Sequence, residues 1–296
     1  TRIVNKGEGF FNSEESFFFC RLRYGKIRKN GEKKMLECPK CKSELIKTKH
    51  CYQCVNHHSF DIAKRGYVNL LLGNHKATGD DKEMVKARTI FLSHGYYAPL
   101  KNRLIELLKD KQIKTLADAG CGQGFYTNAI HDALQCDTYG FDLSKYAVDE
   151  ACKAHNGVFY GVCNIFHMPL SDESCDSVLS VFAPVDMKEN ARVLKPGGYF
   201  IKVGPGPKHL LEMKQELYKD VYENTVETGY AGFTLCHEEL LEYTIDLQNA
   251  HDIKALFQMT PYYWRTPKES VEHLLSLSAL TTRVSFHITI YRKEEA

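Results

Sequence analysis

From residue 83 to its end, the chain alternates between two hydrophobic periods. "MVKARTIFLS" and "PLKNRLIELLKD" space their apolar residues three and four apart, which predicts helices with one buried face. "KTLADAG" is a short apolar run entering a turn, which predicts a strand. "DTYGFDL", "GVFYGVC", "DSVLSVF" and "GYFIKVG" predict four more, with helical stretches such as "FYTNAIHDAL" and "KYAVDEACKAH" between the early ones. That rhythm predicts an α/β domain built on an open, mostly parallel sheet. Near the end, "RVSFHITIYRK" alternates with period two and predicts a late strand.

The front of the chain follows neither period. Residues 1–34 read as an extension, disordered or foreign to the domain. Residues 35–72 contain "CPKCKSELIKTKHCYQCVNHHSF", with four cysteines and three histidines, and close on "FDIAKRGYVNLLL". Residues 73–82, "GNHKATGDDK", are polar with two glycines and read as a linker to a domain over residues 83–296.

The cysteine-histidine cluster has metal-ligand spacing. Cys38, Cys41, Cys51 and Cys54 would form two Cys-x-x-Cys hooks; Cys38, Cys41, Cys54 and His58 would supply three thiolates and an imidazole. Both sets suit tetrahedral zinc, and spacing alone favours the four thiolates. Either site is closed, so the zinc would be structural, holding together a module too small for its own core.

Charge and cysteine usage narrow the setting. Residues 1–79 carry 16 Lys/Arg against 7 Asp/Glu, a net +9, whereas residues 80–296 carry 23 against 30, a net −7. A basic front on an acidic body predicts a polyanionic partner; a solubilising tail is the plainer reading. No apolar run approaches the roughly 18 residues of a membrane span, so no membrane partner is expected. Eleven cysteines, four in the cluster and the rest scattered, predict a cytoplasmic protein with free thiols.

"LADAGCGQGFYT" carries the chemistry of the larger domain. A strand runs to Asp118, Gly120, Gly122 and Gly124 follow, and a helix begins. Glycines let the backbone turn sharply and approach a ligand closely. The next strand ends in "GFDLS", where Asp142 stands to accept hydrogen bonds from ribose hydroxyls. The same logic adds Asn164, after the third strand. The Gly-x-Gly-x-Gly form resembles motif I of class I, Rossmann-like S-adenosylmethionine-dependent methyltransferases, and "RVLKPGGYFIKV" resembles the approach to their fifth strand. Another nucleotide-binding α/β fold is the alternative. After the fourth strand, "VFAPVDM" lacks the Asp/Asn-Pro-Pro-aromatic stretch of many exocyclic-amine methyltransferases. No paired cysteines stand where C5-cytosine chemistry would need them.

The whole pattern after Met35 resembles the bacterial 23S rRNA (guanine-N1-)-methyltransferases. The matching stretches are "CPKC", "HSFDIAKRGYVNLL", "KARTIFLSHGYYAPL", "DAGCGQGFYT", "GFDLSK", "RVLKPGG", "GPGPKHLLEMK" and "LFQMTPYYWR". The resemblance implies methyl transfer from S-adenosylmethionine to N1 of a guanine in a 23S rRNA hairpin loop. It implies cofactor contacts at Tyr97, Gly122, Gln123 and His209. It also favours Cys38, Cys41, Cys54 and His58 as zinc ligands over the all-cysteine set, with Cys51 a departure from the family pattern.

Guanine N1 carries a proton, so the site must let that proton leave and must take the base from its stack. Phe182, Tyr263 and Trp264 are candidates for stacking on it, with packing of the C-terminal part as the plainer reading. No residue is assigned as general base; Asp186 stands at a suitable place after the fourth strand. Lys40, Lys42, Lys47 and Lys49, with Lys64 and Arg65, would present charge to rRNA phosphates. The plainer reading of the knot is a staple between domains, or between copies in a homodimer. Two other functions compete: a small-molecule methyltransferase of the quinone type, and a non-catalytic zinc-dependent RNA-binding protein.

Overall fold

The computed structural model describes residues 35–73, 79–226 and 228–295. The extension over residues 1–34 and the middle of the linker lie outside the described residues. Three short strands come first: β1 (Ile46–Lys47), β2 (Cys51–Gln53) and β3 (Ser59–Asp61), an antiparallel sheet in that order. Next come β4 (Val68–Asn69), α1 (Lys82–Ser93), α2 (Ala98–Leu108), β5 (Thr115–Ala119) and α3 (Phe125–Leu134). β6 (Asp137–Asp142), α4 (Lys145–Ala151), β7 (Phe159–Val162), β8 (Cys175–Val181) and α5 (Met187–Val193) follow. The chain closes with β9 (Leu194–Pro205), α6 (Leu211–Leu217), β10 (Phe233–Leu247), α7 (Ala250–Gln258), α8 (Lys268–Ser276) and β11 (Leu280–Lys293).

The main sheet has eight strands in the order β10-β11-β9-β8-β5-β6-β7-β4. β4 to β9 run parallel, while β11 pairs antiparallel with β9 and β10. This is the open, mostly parallel α/β sheet that the alternating periods predict. β5 is buried from Leu116 to Ala119, as a strand covered on both faces must be. The strand order reverses at β5, and ligands bind such sheets at the carboxyl ends of the strands beside that reversal.

Local signals set the helix starts. Asp81 caps α1 by accepting from Met84 N at 2.9 Å, and Ser144 caps α4 by accepting from Ala147 N at 3.2 Å. β10 is an element the sequence reading lacks: "HEELLEY" within it carries no clean alternation, and nearly all of its outer face is exposed.

β4 is the other surprise. Its residues end the stretch read as the metal module, yet they pair with Gly161 and Val162 of β7 as the sheet's edge strand. The front of the module is also tied down: Leu36 bridges Leu170, and Glu37 N donates to Pro169 O at 2.9 Å. Leu36, Leu45, Phe60 and Val68 share one apolar cluster with Ala117, Phe141 and Phe200 of the sheet. Among the described residues, no helix is long and apolar enough to cross a membrane.

Candidate active site and metal centre

In the small module, Cys38, Cys41, Cys54 and His58 bring their ligand atoms within 4.8 Å of one another. Cys38 Sγ lies 3.4 Å and Cys54 Sγ 3.5 Å from His58 Nδ1, and the Cys41 and Cys54 sulfurs are 3.6 Å apart. Two tight turns make this possible. Lys42 N donates to Cys38 O, and His57 N to Cys54 O, with Lys42 and His57 in the left-handed region. Asn56 ties the turns together by donating to Ser43 Oγ at 3.3 Å. Hydrogen bonds from Ser43 and Asn56 lower the Cys41 thiol to about 5, while burial raises Cys38 to about 11. The donor set fits tetrahedral zinc, which would hold all three sulfurs as thiolates. Cys51 lies on β2 with its sulfur 3.2 Å from Thr48 Oγ1, outside the cluster. Lys40, Lys42, Lys47, Lys49, Lys64 and Arg65 are exposed around it; Arg65 faces Asp149 of α4 at 3.6 Å.

The second site lies where β5, β6 and β8 end. Gly120 N and Cys121 N both donate to Phe141 O, folding the glycine loop onto β6. Gly120 has φ +90°, and a methyl there would collide with the Ala183 side chain beyond β8. Gly124, at φ +81°, leaves no room for a methyl beside the Tyr160 hydroxyl. Asp142 holds the loop from the side: its carboxylate accepts from Gly122 N at 2.9 Å and from Ser144 N at 2.8 Å. Burial raises its pKa, and these two bonds oppose the rise. Gln123 is half-buried at the crest of the loop.

Asp118 is buried at the end of β5. Thr127 Oγ1 donates to its Oδ2 at 2.6 Å, and its Oδ1 has no partner. Burial pushes its pKa up to about 7, with the Asp142 charge adding to the rise. An unpartnered acid oxygen beside a glycine cradle fits a ligand that carries cationic groups. Asn164 is exposed after β7, its side-chain oxygen accepting from Phe166 N at 3.0 Å.

Tyr97 and His209, 112 residues apart, meet in the interior with Tyr97 Oη 3.5 Å from His209 Nε2. His209 Nδ1 accepts from Ser285 N, so the neutral ring carries its proton on Nε2. Burial holds the imidazole down at about 4. Phe182 sits beside this pair, its ring centroid 5.4 Å from that of His209, and it is 42% exposed. Tyr263 and Trp264 stack edge to face on each other at 4.9 Å, with Tyr263 against Phe257. Among the described residues, no ring contact joins that pair to Phe182. Asp186 is occupied as the cap of α5, accepting from Lys188 N and Glu189 N.

Arg88 on α1 is a residue the sequence reading passed over. Its Nη2 is 2.7 Å from the Asp80 carboxylate and donates to Met259 O at 3.3 Å, while its Nε is buried without a partner. In sequence it is one basic residue among several in an amphipathic helix, and nothing there marks it.

Comparisons with known proteins match both sites. Residues 36–78 match the zinc-ribbon family model described as "RlmA, N-terminal". Residues 117–202 match a methyltransferase-domain model. The 23S rRNA (guanine(748)-N(1))-methyltransferase of Streptomyces fradiae is 32% identical over 279 residues, 88% of this chain and 98% of that one. YxjB of Bacillus subtilis (strain 168), named for 23S rRNA guanine-N1 methylation, is 32% identical over 88% of this chain and 97% of its own. A fatty-acid O-methyltransferase of Mycolicibacterium smegmatis is 29% identical, over 34% of this chain and 40% of that one.

Proposed function

This chain belongs to the 23S rRNA (guanine-N1-)-methyltransferase family, and from that premise we propose how its two sites divide the work. The enzyme transfers a methyl group from S-adenosylmethionine to N1 of a guanine in 23S rRNA, and the guanine lies in a hairpin loop. The carrying observation is the joining, in one chain, of a Cys3His cluster to a glycine loop held by Asp142.

Bound S-adenosylmethionine supplies an activated methyl group on a sulfonium centre. The protein's part is alignment. Asp142 takes the ribose hydroxyls on the lone pairs its two backbone bonds leave open. Gly120, Gly122 and Gln123 would carry the backbone against the cofactor, with Tyr97, His209 and Asn164 as its further contacts. Asp118 offers its unpartnered oxygen to a cationic group. Phe182, exposed beside His209, stacks the extracted guanine, and Tyr263 and Trp264 stack on the neighbouring nucleotides. Holding N1 in line with the methyl would supply much of the acceleration. The zinc holds the small module in shape and does no chemistry. That module's exposed lysines grip phosphates and set the register of the loop without reading its sequence.

Mass mapping of 23S rRNA from cells with and without the gene tests this reading. One guanine should lose a single methyl in the deletion and regain it with the purified protein and cofactor. An unchanged rRNA, with methyl transfer to a small molecule instead, would sink it in favour of the small-molecule alternative.

A further inference from the structure

We propose that Arg88 receives the carboxylate of the cofactor's methionine end. The inference rests on the cofactor assignment above and adds to it the group that recognises the amino-acid portion.

Three buried polar atoms near the glycine loop lack partners: Asp118 Oδ1 on β5, the Tyr126 hydroxyl on α3 and Arg88 Nε on α1. Buried polar atoms are seldom left unpaired, so three in one region call for a ligand with matching groups. They flank one loop: Asp118 precedes it on β5, Tyr126 follows it on α3, and Arg88 reaches it at Gly122. An acid oxygen on one side of the glycine loop and a guanidinium facing it from α1 complement a zwitterion, the ammonium for one and the carboxylate for the other.

Arg88 is placed for this. A methyl on Gly122 would lie 3.9 Å from Arg88 Nη1, so the guanidinium faces the crest of the loop. Its charge also reaches Tyr97 and Asp142, which come from two other elements of the site. Asp80 and Met259 O engage Nη2 alone, leaving Nη1, the nitrogen nearest the loop, to donate a charge-assisted bond to a carboxylate.

The test compares two ligands on the full chain by calorimetry: S-adenosylmethionine and decarboxylated S-adenosylmethionine. The wild type should prefer the carboxylated form by about 10- to 150-fold, the worth of one charge-assisted contact. Arg88→Ala should erase that preference to within about twofold while still binding the decarboxylated form. If Arg88→Ala does not fold, Arg88→Gln, which keeps a donor for Met259 O, carries the same expectation. A variant that weakens both ligands equally, keeping the wild-type preference, overturns the proposal and leaves Arg88 as a clasp between Asp80 and α7. So does a wild type that shows no preference. A wild type that binds neither ligand overturns the cofactor reading itself.

Discussion

Asp142→Ala perturbs the point where the fold and the chemistry share one carboxylate. Its two oxygens accept from Gly122 N at 2.9 Å and Ser144 N at 2.8 Å. Hydrogen bonds to a charged acceptor are worth about 1.5–3 kcal/mol each. The penalty for burying the charge, visible in its raised pKa, offsets part of that sum. The ligand-free protein should therefore lose about 2–4 kcal/mol in a urea titration. On the ribose contact proposed above, the hydroxyls would lose their acceptor too, so the Kd for S-adenosylhomocysteine should rise by about 10-fold or more. Asp142→Asn separates the two effects. Its single carbonyl can accept one of the two N–H groups, while its amide cannot accept the other. About half the stability loss should remain. A variant as stable as the wild type would remove Asp142 as the staple of the loop. A destabilised variant with an unchanged Kd would leave it structural only.

Four further outcomes follow from the structure. Cys54→Ser and His58→Ala should release zinc, read by a colorimetric chelator, whereas Cys51→Ser should retain it, because that sulfur faces Thr48; the opposite pattern would establish the four-cysteine set. Gly120→Ala should cost about 3 kcal/mol from its collision with Ala183 and its φ of +90°, and Gly95→Ala, at φ +83° in open space, about 1 kcal/mol; equal losses by urea titration would refute the collision. His209 is held below its ordinary 6.5, at about 4, so its neutral ring contributes stability in full above pH 6.5 and loses it as pH falls towards 4. His209→Gln should abolish that loss, on the order of 3 kcal/mol between the two pH limits. Changing Lys40, Lys42, Lys47 and Lys49 to glutamine should flatten the salt dependence of rRNA binding by about 0.7–0.9 per lost contact in the log–log slope and leave cofactor affinity unchanged; a wild-type slope would make the metal knot a staple.

The strands from β5 to β9, the glycine loop and Asp142 were legible because local rules govern them. A buried parallel strand must be apolar, and a sharp turn beside a ligand must be glycine. β4 was not legible, since two residues carry no period and its partner lies some 90 positions on. β10 was hidden by Glu238, Glu239 and Glu242, which its edge position permits and which read as helix-forming in isolation. Within the site, Tyr97 and His209 each came from resemblance, and their meeting across 112 positions is a feature of the fold alone. Arg88 escaped both routes, because its significance lies in contacts with Asp80 and Met259, eight and 171 positions away.

The double anchoring of the metal module, by Leu36 at its front and by β4 at its back, has a consequence for how a nucleotide is chosen. A module on a loose tether would sweep a volume and sample several neighbouring bases. One stitched to the larger domain at both ends acts as a ruler: the span between its lysines and the glycine loop is set by the covalent and hydrogen-bonded frame. With those lysines on rRNA phosphates, as proposed above, selection among adjacent guanines would become a matter of length. Inserting residues between β3 and β4 would move the gauge mark along the RNA and leave the chemistry untouched.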